Sequence, residues 1–178
     1  MFICADLLNG CGKTTLLKLI SGLLKPSTGK LEILGQDVNK RTVVQIAKNV
    51  GFVLQSPNHQ LFADSVRSEI YQLGVSKDVA EYLLEQLNLS KFDQQHPHSL
   101  SQGQKRRLTL GAALARQPKI CLLDEIMVGQ DPQSLVLMLN VLKNFTHNGG
   151  TLIFTSHDPT VAGVLQARVI DIPTFSWN

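Results

Sequence analysis

Short unbroken apolar runs alternate along this chain with segments of helical periodicity, and that alternation is its dominant pattern. Val50-Gly51-Phe52-Val53-Leu54, Ile120-Cys121-Leu122-Leu123, Thr151-Leu152-Ile153-Phe154-Thr155 and the run from Val169 to Ile172 read as strands buried on both faces. A helix is expected from the apolar run Leu16-Leu17-Lys18-Leu19-Ile20 to near Leu24, followed by the turn Lys25-Pro26-Ser27-Thr28-Gly29 and a short strand from Leu31 to Leu34, closed by Gly35. Further helices are expected over Thr42 to Asn49, Ser101 to Arg116 and Pro132 to Thr146. The second must end before Pro118, and the third has proline in its first turn and stops at Asn148-Gly149-Gly150. Between Ser56 and about Leu100 the period is helical throughout, with apolar positions at Ile70, Leu73, Val79, Leu83, Leu84 and Leu87. Strands alternating with helices predict an α/β fold, a mostly parallel sheet flanked by helices. The stretch 56–107 would be a helical subdomain inserted into a core made of about 1–55 and 108–172.

Composition narrows the class without naming it. A chain of 178 residues that is 43% hydrophobic supports one domain with a sizeable core. Its net charge of +3 is only mildly basic and does not imply nucleic acid. The one basic cluster, Lys105-Arg106-Arg107, is expected on a solvated or phosphate-adjacent helical face. Cys4, Cys11 and Cys121 lack the spacing of a metal site or a disulfide framework and fit a reducing cytosolic compartment. No apolar run reaches the roughly 18 residues of a membrane span, and Met1-Phe2-Ile3-Cys4-Ala5 lacks the basic start of a signal peptide.

The chemistry enters at Asn9-Gly10-Cys11-Gly12-Lys13-Thr14-Thr15, directly before the first helix. Glycines there let the backbone approach phosphates closely, and the free N–H groups of the first helical turn point at the anion. Lys13 would reach the β- and γ-phosphates of a nucleoside triphosphate, and the Thr14 hydroxyl would hold Mg²⁺. The full pattern asks for glycine at position 7, where this chain has Leu7. The loop begins almost at the N-terminus, leaving room for one short strand, and both ends of the chain look cut short. The apolar run 120–123 delivers Asp124 and Glu125 to the carboxyl edge of the sheet, where open α/β folds bind ligands. Asp124 would support Mg²⁺ and Glu125 would polarise an attacking water. In Leu100-Ser101-Gln102-Gly103-Gln104, a serine and a glycine open a helix and could bind phosphate; a plain N-cap would give the same residues.

Together these motifs resemble the ATP-binding-cassette (ABC) ATPase family, which carries an LSGGQ-type signature between the phosphate loop and the acidic strand. The resemblance runs from about Asn9 to Ile172, with the motifs in family order. Gln55 matches the Q-loop glutamine, which links Mg²⁺ and water to a membrane partner. His157 matches the switch histidine that contacts the γ-phosphate, and Gly129-Gln130-Asp131 matches the D-loop. A finer resemblance, in Gln55-Ser56-Pro57-Asn58-His59-Gln60-Leu61-Phe62 followed by Val66 and Glu69, is to the ATPase subunits of energy-coupling-factor and cobalt or nickel importers. A loop with Leu61 and Phe62 both buried in the insertion is the plainer alternative for that stretch.

The resemblance implies a P-loop NTPase core with a helical ABC-type subdomain. It implies ATP and Mg²⁺ as ligands, with Glu125 and His157 catalytic and Thr14, Gln55 and Asp124 around the metal. ATP would be gripped by residues 9–15 and Gln55, and by Ser101, Gln102, Gly103, Gln104 and Asp131, those of the signature acting from a second ATPase subunit arranged head to tail. A transmembrane transporter subunit would be the other partner, with no nucleic acid, and the chain would lie peripherally on the cytoplasmic face of a membrane. The chain departs from the family at Leu7, at Asp6 where an apolar strand residue is usual, at Ile126-Met127 in place of Pro-Thr or Pro-Ser, and in lacking the N-terminal strands and adenine-stacking aromatic. Three functions are therefore set side by side: a transport ATPase, a degenerate module with little or no turnover, and a soluble relative acting in DNA repair or translation. The last would carry long coiled coils or duplicated cassettes, which this chain lacks.

Overall fold

The computed structural model describes residues 1–6, 12–127, 129–156 and 159–171. Leu7, Asn9, Gly10, Cys11 and His157 thus lie outside the described residues. Five strands form one parallel sheet: β1 (Phe2–Asp6), β4 (Val50–Val53), β5 (Ile120–Asp124), β6 (Thr151–Thr155) and β7 (Arg168–Asp171), in the order β4-β5-β6-β1-β7. The short segment expected at 31–34 does not join it. Glu32–Ile33 (β2) turns back through Leu34 and Gly35, both at positive φ, to pair antiparallel with Gln36–Asp37 (β3) as a separate hairpin.

Strand β5 shows why the sheet is covered on both sides. Ile120 and Leu122 face a smaller cluster with Leu17, Ile20, Val38 and Ile46, while Cys121 and Leu123 face the larger one. A period of two thus shares one continuous apolar run between two cores. Burial in the larger core pushes the Cys121 thiol up to about 12, so it is a packing residue. The smaller core is closed by α1 (Lys13–Ile20) and α2 (Val43–Ala47), the latter held by a capping box between Thr42 and Gln45. Helix α1 stops at Ile20, a turn before the expected Leu24, because the chain folds back with Leu24 N–H donating to the Lys18 carbonyl at 3.0 Å and Gly22 at φ 75°.

The stretch 56–100 is helical but more divided than its period suggests. It holds α3 (Val66–Ile70), α4 (Lys77–Gln86) and single 3₁₀ turns at Pro57–His59, Ser90–Phe92 and Pro97–Ser99. Leu73, expected on the apolar face, is fully exposed, since α3 ends at Ile70 and the chain turns through Gly74 at φ 87°. Arg67 fixes this region from α3. Its guanidinium donates to Asp93 at 3.0 Å and to Glu81 at 2.8 Å, and Glu81 also accepts the Tyr71 hydroxyl at 2.6 Å. The hydroxyl of Tyr71 and the charge of Arg67 hold the Glu81 carboxyl below its ordinary range, and Arg67 does the same for Asp93.

Helix α5 (Gln102–Ala115) ties this stretch to the sheet, and the expected boundary between residues 107 and 108 falls inside it. Ile70, Leu84 and Leu87 share one core with Val53, Leu123 and Phe154. The approach needs glycine at 111: a Cβ there would stand 2.9 Å from Leu87 Cδ1 and 3.2 Å from Ile70 Cδ1. Of the two expectations for the basic cluster, a solvated or a phosphate-adjacent face, the first is overturned for Lys105 and Arg107, which are each only 8% exposed. Helices α6 (Pro132–His147) and α7 (Pro159–Val164) complete the chain's second face. Among the described residues no helix is long and apolar enough to cross a membrane.

Candidate functional site

Three strand ends and one helix start converge at the carboxyl edge of the sheet. Gly12 precedes α1 at φ 93°, a conformation that costs other residues about 1–2 kcal/mol, and lets Lys13 and Thr14 begin the helix beneath the tip of β5. The Thr14 hydroxyl donates to Asp124 Oδ2 at 2.9 Å, and Lys13 Nζ stands 3.2 Å from Glu125 Oε1. From the end of β4, Gln55 Nε2 donates to Glu125 Oε2 at 3.1 Å. Each acidic side chain thereby meets groups from residues far away in sequence. Lys13 is buried, while Thr14 and Thr15 are exposed.

Sequence reasoning missed Thr155, at the end of β6. Its hydroxyl is 3.1 Å from Asp124 Oδ1 and accepts the Glu125 backbone N–H at 3.1 Å. Glu125 sits at φ 52°, unusual for a residue with a side chain. The apolar run at 151–155 carried no sign that its last member would face the acidic pair.

The signature segment forms the start of α5. Ser101 Oγ accepts from Gln104 N–H at 3.3 Å while Gln104 Oε1 accepts from Ser101 N–H at 2.8 Å, so the cap anticipated as the plain alternative is present. Ser101 and Gln102 remain exposed. Gly103 lies against the D-loop of the same chain: a Cβ there would stand 3.4 Å from Gln130 Oε1 and 3.8 Å from Asp131 Oδ2. Asp131 caps α6 by accepting Ser134 N–H at 2.9 Å, and the Ser134 hydroxyl and amide hold its carboxyl below the ordinary range. Burial lowers the pKa of Arg107, against which the charge of Asp131 acts.

The Q-loop stretch is built by its own side chains. Gln60 accepts Leu54 N–H at 2.6 Å and donates to the Phe52 carbonyl at 2.7 Å, continuing β4 beyond its last paired residue. The buried Glu69 carboxylate accepts the N–H groups of Phe62 and Ala63, both at 2.9 Å. Leu61 is 2% exposed but Phe62 is 83% exposed, so the two are not buried together. Lys105 Nζ donates to Asn58 Oδ1 at 3.2 Å and joins this stretch to α5. Ile126 and Met127, which replace the family's Pro-Thr or Pro-Ser, are both buried in the larger core.

The donor set suits a small, hard cation carried by phosphates. Magnesium is typically held by one or two carboxylates plus substrate oxygens, and Asp124 with the Thr14 hydroxyl supplies oxygen donors between the end of β5 and the start of α1.

Residues 8–128 match the family described as ABC transporter. The chain is 34% identical over 171 residues to the energy-coupling factor transporter ATP-binding protein EcfA of Methanothermobacter thermautotrophicus, covering 90% of this chain and 55% of that protein. Other curated relatives are likewise longer, the chain spanning 28% of one from Methanosarcina acetivorans and 61% of one from Pyrococcus horikoshii. Among solved structures, CbiO1 of Clostridium perfringens, part of the ABC transporter complex CbiONQ, superposes with a TM-score of 0.78 at 26% identity, over 96% of this chain and 72% of that one. The ATP-binding cassette MJ0796, solved as a dimer in a post-hydrolysis state with ADP and Pi, superposes at 0.82 with 27% identity, over 96% of this chain and 80% of that one. The match over residues 8–128, more than half of its length, shows that the chain belongs to the ABC transporter family.

Proposed function

We propose that this chain is the ATP-binding subunit of an ABC importer of the energy-coupling-factor or cobalt type, hydrolysing ATP to drive a separate membrane component. One observation carries the reading: the phosphate-loop helix and the acidic strand meet through Thr14–Asp124 at 2.9 Å and Lys13–Glu125 at 3.2 Å, with Gln55 closing the group on Glu125. Lys13 is the cation that would meet the β- and γ-phosphates, and Gly12 with the N–H groups opening α1 would cradle them. Asn9, Gly10 and Cys11 would complete the loop and Thr15 its helical side. Glu125 is the base that would polarise water, and His157 the group that would contact the γ-phosphate. Thr14, Asp124 and Gln55 would hold Mg²⁺, which neutralises the charge developing on the phosphates.

The exposed Ser101 and Gln102, with Gly103, Gln104 and the neighbouring Asp131, would close a second subunit's site in a head-to-tail pair. A groove of about 240 Å³ opens beside the Q-loop stretch, lined by Leu23, Val43, Phe52, Gln60 and Glu69 among others, and a membrane subunit would dock on this side. This arrangement would place the protein peripherally on the cytoplasmic face of a membrane.

Leu7 favours a second reading, a module that binds its partners but turns ATP over poorly, because the residue occupies a glycine position of the phosphate loop. Steady-state ATP turnover by the purified chain, alone and with a reconstituted membrane component, separates the two. Stimulated turnover is expected. Tight membrane-subunit binding without turnover would leave the degenerate reading in its place.

A further inference from the structure

We infer that the Thr155 hydroxyl is a positioning residue that locks the acidic pair Asp124–Glu125 in its working geometry; the inference rests on the ATPase reading above. Thr155 is 2% exposed at the end of a strand whose preceding residues, Leu152 to Phe154, are apolar. A hydroxyl at such a place costs stability unless bonded, and valine would fill the same volume. Here the hydroxyl is fully used. It has one proton, and two acceptors lie in reach: Asp124 Oδ1 at 3.1 Å and the Leu123 carbonyl at 3.5 Å. The nearer, charged acceptor takes it. An oxygen lone pair then receives Glu125 N–H at 3.1 Å.

Two consequences follow from that one oxygen. The Asp124 carboxylate is bonded on both sides, Oδ1 by Thr155 and Oδ2 by Thr14 at 2.9 Å, so its plane is fixed by β6 and α1 together. The Glu125 backbone, at φ 52°, is held in a conformation that a non-glycine residue leaves readily when nothing restrains it. That conformation turns the Glu125 side chain toward Lys13 and Gln55. Removing the hydroxyl should therefore free the backbone of Glu125 and misdirect both carboxylates, while the N–H groups that open α1 stay in place.

The test compares Thr155→Val and Thr155→Ser in the full chain by amide hydrogen exchange, thermal unfolding and, with the membrane component present, ATP turnover. Thr155→Val should speed exchange at the Glu125 amide by about tenfold or more, the effect of losing one hydrogen bond, while amides of α4 stay unchanged. It should lower kcat by about tenfold or more, a larger factor than any rise in KM for Mg-ATP, because the acidic pair loses its orientation while the N–H groups opening α1 are kept. Thr155→Ser, which keeps the hydroxyl, should restore both. An equally protected Glu125 amide in Thr155→Val would overturn the inference whatever the turnover. Faster exchange with unchanged kcat would overturn it as well, leaving the hydroxyl a purely structural bond. If the unsubstituted chain proves inactive, the ATPase reading falls and the exchange experiment alone decides whether the hydroxyl restrains Glu125.

Discussion

The carboxyl edge of the sheet and the inserted stretch 56–100 are built on opposite plans. At the sheet edge, Lys13, Thr14, Gln55, Asp124, Glu125 and Thr155 come from four separated segments, and their polar atoms are linked at 2.9–3.2 Å, with Lys13, Asp124 and Thr155 buried and Thr14 and Gln55 open to solvent. In the insertion, the ionic group Arg67, Glu81, Asp93 and Tyr71 comes from one continuous stretch and lies toward solvent over an apolar base. Polar links at the edge hold chemical groups in place, whereas those of the insertion hold short helices together. The first should therefore be sensitive in activity and the second in stability, and weakly so.

The largest effect that can break this comparison is at Glu125. Glu125→Gln keeps the shape of the side chain but cannot polarise water, so turnover should fall by about 100-fold or more with ATP binding retained. Turnover equal to that of the unsubstituted chain would remove Glu125 from the mechanism, and rate assays beside calorimetric titration read both quantities.

Next in size is Gly111→Ala, placed where the insertion meets α5. The added methyl would stand 2.9 Å from Leu87 Cδ1, and forcing such a contact into a packed core should cost about 1–3 kcal/mol, read as a lower urea midpoint. An unshifted midpoint would mean that the Leu87 and Ile70 side-chain ends give way freely and that this contact does not join the insertion rigidly to α5.

A smaller effect is expected from restoring the phosphate loop. Asp6→Val with Leu7→Gly should tighten Mg-ATP binding by about tenfold, roughly 1.4 kcal/mol, through relieved backbone strain and loss of a negative charge. Tight binding before the change would show that the loop tolerates Leu7. Weak binding by both forms would move the defect elsewhere.

The smallest effect concerns the Arg67 group and has a defined sign. Glu81 and Asp93 have lowered pKa values in the fold, so their contribution is complete above the ordinary carboxylate range and fades as pH falls through those lowered values, below about pH 4. Arg67→Met should therefore lower the melting temperature slightly at neutral pH and leave a smaller difference in acid. A gap that widens on acidification would show that Arg67 acts through packing alone.

How much of this was legible depended on the range over which each signal acts. Strands β4, β5 and β6 were readable because unbroken apolar runs need burial. The run at Val169 was expected to be buried like them, but β7 is an edge strand of the sheet, with Val169 and Ile170 exposed. The acidic pair was readable because Asp124 and Glu125 follow such a run directly. The solvated alternative for the basic cluster failed for the opposite reason: Lys105 and Arg107 take charges into a helix whose neighbours, Asn58 and Asp131, are distant in sequence. Leu73 kept a helical spacing after the helix had ended at Ile70.

By itself the sequence determined most of the order of strands and helices, with α7 and the second strand of the β2–β3 hairpin unread, together with the α/β class and the phosphate-loop, signature and acidic motifs, since each is written in adjacent residues and obeys local backbone and burial rules. Only the tertiary structure decided that Thr155 serves both Asp124 and Glu125, that Glu69 and Gln60 shape the Q-loop, and that α5 belongs to the insertion and the sheet alike. Those links join side chains across many residues of sequence, and the strand order and helix packing that bring them within hydrogen-bonding distance are properties of the whole core, carried by no single segment.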